Sequence, residues 1–291
     1  MTPLNLLEAS ANFLRGMIFT TGRNMIHSLS SWRGGARALC AVAGLLTCLA
    51  VIAVAQQPKT KPQAPAPVLP KYGSQAVRLF HAREYLQTHE APDFWALMPY
   101  YVHQFNERAC SVASATMVVN ALRSQVELTT ADELITQEKL LKQVCNPRWA
   151  NDVGPNGESV TIEELGEYVE ESLKLFGPRK YEVQAVRVDP QDPGLRERVR
   201  RMLVENERSD DDFVMVVFWQ AAFTEDPEGE SGHIAPLAAY DAAHERALVF
   251  DPDRKWYEPY WVPLDTLVAG MARTDPDTGK SRGFIWVRTK P

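Results

Sequence analysis

The sequence predicts an α+β domain, on three observations. Helical periodicity fills the part after residue 73, β-rich apolar runs follow it, and a Pro-rich stretch separates both from an uncharged apolar segment nearer the N-terminus. Apolar residues at helical spacing mark helices over residues 74–87, 111–122, 131–143, 161–175 and 194–206. Short apolar runs bounded by polar turns mark strands over residues 213–219, 234–240, 247–250 and 284–287, with a short helix over 264–271. Helices first and a mostly antiparallel sheet afterwards define the class.

Residues 38–55 carry no charge and follow Arg33 and Arg37, and Ala53-Val54-Ala55 offers small residues at the spacing of a secretory cleavage site. The run is also long enough to span a bilayer as an uncleaved anchor, so signal peptide and membrane tether both stand. Pro58, Pro62, Pro65, Pro67 and Pro70 make residues 56–70 an extended linker. The expected organisation is therefore a leader (1–55), a linker (56–70) and a catalytic domain (71–291), exported to the periplasm or anchored in the inner membrane facing it. The chain carries a formal charge of −6; removing residues 1–55 takes away Arg15, Arg23, Arg33, Arg37 and Glu8, a net +3, and leaves −9. An acidic domain excludes nucleic acid as the expected partner. The basic cluster Arg196, Arg198, Arg200 and Arg201 is interleaved with Glu197 and Glu205 and reads as a solvated helix face.

Cys110 stands where a polar segment turns into an amphipathic helix, and the positive helix end beside it favours thiolate, the nucleophilic form. Gln104, six residues upstream, can bring an amide to the same sulfur, as an oxyanion hole for acyl transfer requires. Cys145 stands 35 positions further on. In an oxidising compartment the two thiols could pair, which would silence Cys110. Neither has His or Cys neighbours at zinc-site spacing, so no protein-bound metal is expected.

Residues 234–240 and 247–250 flank a short polar segment and read as an antiparallel hairpin. With its centre near Ala242 or Ala243, His233 faces a residue within a position or two of Asp251, and a His–Asp hydrogen bond comes within reach. Thiol, imidazole and carboxylate in the order Cys110, His233, Asp251, with Gln104 ahead, is the arrangement of papain-like cysteine proteases. That layout has a helical lobe headed by the Cys and an antiparallel β-sheet lobe carrying His and Asp.

Several blocks in order resemble the catalytic domain of phytochelatin synthases, papain-like transpeptidases acting on glutathione. They are Gln104 with Cys110-Ser111-Val112-Ala113-Ser114 and the following Met117-Val118-Val119-Asn120-Ala121-Leu122; Gly232-His233 with Pro236-Leu237-Ala238-Ala239-Tyr240; the stretch from Asp251 to Pro263; and Arg282-Gly283-Phe284. The resemblance implies Cys110 as nucleophile, His233 as general base and then acid, Asp251 as orienter and Gln104 as oxyanion donor. It puts Arg254, Tyr257 and Arg282 at or near the substrate, where two guanidinium groups suit the carboxylates of a γ-glutamyl peptide. Glutathione and γ-glutamyl peptides are the implied partners, with a homodimer as one expected assembly. No cofactor is expected to be tightly bound; a divalent heavy metal such as Cd or Zn would act through glutathione thiolate complexes. The cysteine-rich extension of the plant members has no counterpart before Pro291, which implies hydrolysis to γ-glutamylcysteine and glycine in preference to phytochelatin synthesis. Two alternatives stand beside this reading: a peptidase resembling the bacteriocin-processing cysteine proteases, and a non-catalytic exported binding domain with Cys110 locked to Cys145.

Overall fold

The computed structural model describes residues 71–290 apart from 124, 125, 156, 159 and 277. The leader, the apolar run of residues 38–55 and the Pro-rich linker lie outside the described residues. Its strands are β1 (Val77–Arg78), β2 (Tyr181–Arg187), β3 (Asp212–Trp219), β4 (Gly232–Asp241), β5 (Arg246–Val249), β6 (Tyr260–Pro263) and β7 (Gly283–Thr289). The helices are α1 (Glu84–Thr88), α2 (Pro92–Leu97), α3 (Cys110–Arg123), α4 (Gln137–Val144), α5 (Pro147–Asp152), α6 (Ile162–Phe176), α7 (Leu195–Asn206), α8 (Gln220–Thr224) and α9 (Leu264–Ala272). The strands form one seven-stranded sheet in the order β1-β6-β5-β4-β3-β7-β2, each pairing antiparallel. The α+β expectation holds.

Helices cover both faces of this sheet. Phe213, Met215 and Val217 of β3 pack with Ile285 and Val287 against α2, α3, α4 and α6. The alternate residues Val214, Val216 and Phe218 pack with Phe284 and Trp286 against α7, α8 and α9. This explains why β3 reads as an unbroken apolar run, since a strand buried on both faces has no polar alternation to show. The helices are thus divided between two layers rather than gathered in one lobe.

Two helices form where local chemistry dictates. Thr161 caps α6 in a reciprocal box with Glu164, which supplies partners for two otherwise orphan N–H groups. Central α3 is buried along almost its whole length, and its small residues, Ala113, Ser114 and Ala115 among them, permit close approach to β4. The Ser114 hydroxyl donates to the Ile234 carbonyl of that strand at 3.0 Å. Trp149 of α5, stacked on Tyr168, donates Nε1 to the Ser111 hydroxyl at 3.0 Å and braces the start of α3.

The structure departs from the sequence expectation at two helices. Residues 74–87 break into β1, a 3-10 turn (Leu79–His81) and α1, because the exposed edge of β6 recruits Val77 and Arg78 into the sheet. The helix expected from residue 131 starts at Gln137. Asn120 holds Ile135 extended, accepting its N–H at 3.0 Å and donating to its carbonyl at 2.8 Å, and Thr136 then caps α4. The hairpin of β4 and β5 forms as expected, with one addition. Its register shifts between Leu237 and Ala239, a bulge that the two runs do not announce.

Candidate active site

Cys110 is the first residue of α3, half-buried beneath a cleft of about 960 Å³. Asn106 builds the approach: its side chain accepts the Arg108 N–H at 2.7 Å, and the turn delivers Ala109, whose carbonyl accepts from Ala113 at 2.9 Å to open the helix. The thiol therefore sits among the unpaired N–H groups of a helix N-terminus. His233, second in β4, is paired in register with Phe218 and packs edge-to-face on that ring. Its Nε2 lies 2.8 Å from Asp251 Oδ1, and Cys110 stands close enough to the same imidazole to help raise its pKa. With Nε2 occupied, Nδ1 is the nitrogen that serves the thiol.

Asp251 is fully buried just beyond β5. The sheet fixes its approach through the Phe250 N–H, which donates to the Pro236 carbonyl at 3.0 Å. Four donors converge on the carboxylate. Oδ1 receives His233 and the Asp253 N–H at 2.9 Å, while Oδ2 receives Gln220 Nε2 at 3.1 Å and the Tyr260 hydroxyl at 2.9 Å. Burial opposes ionisation here, but the His233 charge and these hydrogen bonds outweigh it and hold Asp251 below the usual carboxylate range. Burial likewise opposes the imidazolium of His233; the charge and hydrogen bond of Asp251, with a further contribution from Cys110, lift it well above its ordinary value.

Gln104 lines the same cleft. Its backbone N–H donates to the Pro252 carbonyl at 2.9 Å, and its side chain is buried with Oε1 lacking a hydrogen-bond partner among the described residues. Tyr101 ties the same two segments, donating its hydroxyl to the Asp251 carbonyl at 2.7 Å. All four of Gln104, Cys110, His233 and Asp251 are thus brought together, and the set has the composition that nucleophilic acyl transfer demands.

The three residues expected at the substrate are distributed differently. Arg282 lines the cleft, buried, with Nη2 2.6 Å from Asp275 Oδ2 and Nη1 donating to the Arg273 carbonyl at 3.0 Å. Its guanidinium lies over the Trp219 ring. Tyr257 also lines the cleft, its hydroxyl donating to Asp226 Oδ2 at 2.7 Å. Arg254 does not join them: it is exposed and its guanidinium stacks over Tyr101, 4.6 Å from the ring centroid, away from the cleft lining. An aromatic face attracts the cation there, and the turn through Asp253 directs the side chain outward. Gln220, Tyr260 and Asp275 belong to the site without having been singled out in the sequence. None sits in a local pattern with its partner; Asp275 and Arg282 meet where Asp275 bonds through its backbone to Gly279 and Lys280.

Cys110 and Cys145 are both free thiols, the second exposed at the C-terminal end of α4. Among the described residues no three His, Cys, Asp or Glu side chains converge as a metal-binding group. None of the described helices is long and apolar enough to cross a membrane.

The family model described as phytochelatin synthase matches residues 60–284, most of the chain. The chain belongs to the phytochelatin synthase family. Among its relatives in that family, glutathione gamma-glutamylcysteinyltransferase 1 of Lotus japonicus is 27% identical over 214 residues, covering 74% of this chain and 39% of the relative. The protein of the same name from Arabidopsis thaliana is 24% identical over 204 residues, covering 70% and 39%. The wheat (Triticum aestivum) protein of that name is 44% identical over 57 residues, 20% of this chain and 11% of its own. This phytochelatin synthase family member therefore spans about 39% of the length of the first two plant relatives.

Proposed function

We propose that the chain is a papain-like acyl-transfer enzyme that cleaves glycine from glutathione through a Cys110 thioester. The single observation that carries this reading is the contact of a thiol at a helix N-terminus with a buried imidazole whose far nitrogen is held by a carboxylate. The names of the plant relatives, glutathione gamma-glutamylcysteinyltransferases, support the choice of substrate.

In the acylation step His233 holds the proton given up by the Cys110 thiol, and the Cys110 thiolate sulfur attacks the carbonyl carbon of the cysteinyl–glycine bond. The oxyanion that forms is met by the Gln104 amide and by the N–H groups at the start of α3. His233 delivers its proton to the glycine nitrogen, the C–N bond breaks, and glycine leaves with a γ-glutamylcysteinyl thioester on Cys110. In hydrolysis His233 takes a proton from water, whose oxygen attacks the thioester; γ-glutamylcysteine leaves and the thiol is restored. In transfer the attacking atom is instead the amine nitrogen of a second glutathione. Asp251 keeps Nε2 occupied and so keeps the imidazole turned with Nδ1 toward the sulfur.

The Arg282–Asp275 pair lends this scheme its substrate handle. A γ-glutamyl group presents an α-carboxylate and an α-ammonium on one carbon, and a guanidinium beside a carboxylate at the cleft wall offers the complementary charges. Hydrolysis is expected to exceed transfer at modest glutathione, because water is always at the thioester whereas a second glutathione must first bind. Metal enters as the thiolate complex of the substrate. Export rests on residues 38–55 alone, and a reporter active only outside the cytoplasm, fused after residue 70, tests it.

The deciding experiment incubates the purified protein with glutathione and follows glycine, γ-glutamylcysteine and longer products, with and without cadmium. Glycine with stoichiometric γ-glutamylcysteine, dependent on Cys110, is the expected result. Cleavage of longer peptides but not of glutathione would sink the assignment and favour a peptidase.

A further inference from the structure

Asp251 has one oxygen toward His233 and one away from it, and the far oxygen is served by two side chains, Gln220 and Tyr260. A carboxylate turns readily about its terminal torsion. With donors on Oδ1 alone it could swing off the His233 nitrogen; donors on Oδ2 remove that freedom. Gln220 is 4% exposed and is the first residue of α8, in the cleft lining. Its seat is fixed on two sides. Its N–H donates to the Ser231 carbonyl at 3.0 Å, and Gly229 lies so near that a Cβ there would stand 3.1 Å from Gln220 Cγ.

An apolar residue could fill this buried position but would leave Asp251 Oδ2 one donor fewer. Gln220 instead leaves Oε1 without a hydrogen-bond partner among the described residues while Nε2 meets Asp251. A buried amide oxygen left unsatisfied is destabilising, so the donor it accompanies has a use that outweighs packing. The amide also neighbours the hydroxyls of Tyr257 and Tyr260, which links the far side of Asp251 to the cleft wall.

We propose that Gln220 is a positioning residue of the acyl-transfer centre: with Tyr260 it clamps Oδ2 of Asp251, so that Oδ1 stays aligned with Nε2 of His233. The proposal rests on the reading of Asp251 as the orienter of His233.

The test uses the full chain as Gln220→Met, Tyr260→Phe and the double variant. Met keeps the length and volume of Gln but donates nothing. Two readouts are taken. The first is the NMR titration of the His233 imidazole in histidine-labelled protein, assigned by the signal missing from His233→Ala; it needs no substrate. Asp251, Cys110 and Asp253 are the titratable groups facing that ring. The second is kcat and KM for glycine release. Each single variant is expected to move the His233 inflection toward lower pH and to lower kcat about tenfold, with KM within about twofold. Donors that act separately would give a double variant equal to the product of the singles' effects; a clamp, in which either donor alone still holds the carboxylate, predicts a loss larger than that product. An unchanged titration in all three variants overturns the proposal, and so does a fall in thermal stability with a normal titration, which would assign Gln220 to packing. If the wild-type protein releases no glycine, the functional reading fails while the titration still decides the role of Gln220.

Discussion

The Ser114 hydroxyl donates to the carbonyl of Ile234 at 3.0 Å, joining α3 one turn after Cys110 to β4 one residue after His233. Nucleophile and base are thus set against each other by a buried bond that neither of them makes. Ser114→Ala leaves the Ile234 carbonyl without this partner and should cost roughly 1–3 kcal/mol in urea unfolding. Glycine release should fall in kcat with KM little changed, because spacing is disturbed and substrate binding is not. Wild-type kcat in a destabilised variant would show that the strand alone fixes the spacing.

Cys110→Ala and Cys110→Ser should abolish glycine release while retaining the fold, since a methyl has no nucleophile and a hydroxyl is too weak an acid to replace a thiol. His233→Ala should be nearly as damaging. His244, the other hairpin histidine, pairs with Asp241 on the exposed side and should be dispensable. Retained turnover by Cys110→Ala, free of contaminating peptidase, would falsify the nucleophile assignment.

Asp251→Asn should move the alkaline limb of kcat/KM to lower pH. The carboxylate is what lifts His233 against the effect of burial, so an amide there lets the imidazolium lose its proton earlier. The stability signs follow from the same pair. The contribution of His233, raised in the fold, is complete below its unfolded value near 6.5 and is lost as pH climbs through the folded one. That of Asp251, lowered in the fold, is present above its unfolded value near 3.8 and is lost as pH falls through the folded one. Thermal unfolding across pH should therefore show the wild-type advantage over Asp251→Asn centred between these limits, and an advantage that grows into strong acid contradicts the pairing.

Arg282→Gln should raise KM for glutathione or slow acylation at a cost of about 1.5–3 kcal/mol, and Lys should restore little because it lacks the fork. Arg254→Ala should be close to wild type, since its cation rests on Tyr101 outside the cleft lining. A larger loss for Arg254 than for Arg282 in steady-state kinetics would reverse this order.

Glu207 accepts hydrogen bonds from the Tyr240 N–H and the Tyr85 hydroxyl, and burial pushes its carboxyl up to about 7. The fold therefore favours the protonated acid, and stability held at low pH is lost as pH rises from about 4.5 to about 7, by roughly 3 kcal/mol. Glu207→Gln should match wild type near pH 5 and exceed it near pH 8 in denaturant unfolding. Parallel curves for the two proteins would remove the burial argument.

The elements legible in the sequence were those with a strong internal signal. Apolar residues at helical spacing over 161–175 announce α6, and the continuous run from Phe213 announces β3. Residues 74–87 misled because their fate is decided by the edge of β6, almost two hundred positions away, and residues 131–136 because the Asn120 side chain overrides their periodicity. In the site, Cys110, His233 and Asp251 could be named because each lies at or next to the end of an element whose boundary the sequence marks, and Gln104 because it stands six residues ahead of Cys110. Gln220, Tyr260 and Asp275 could not. Their partners are set by tertiary approach, and the outward course of Arg254 is set by an aromatic ring that no local pattern connects to it.

The bonds that frame the cleft run between segments far apart in the chain: Ser114 to Ile234 across 120 positions, Tyr101 to Asp251 across 150. Closing such long loops is slow, and nothing rewards it until both ends have arrived. A nascent or partly folded chain that has not yet brought β4 and the Asp251 turn into place consequently holds Cys110 with no base beside it. Reactivity is switched on by completion of the fold, which makes turnover itself a late-stage reporter: in refolding experiments helical signal should return before glycine release does.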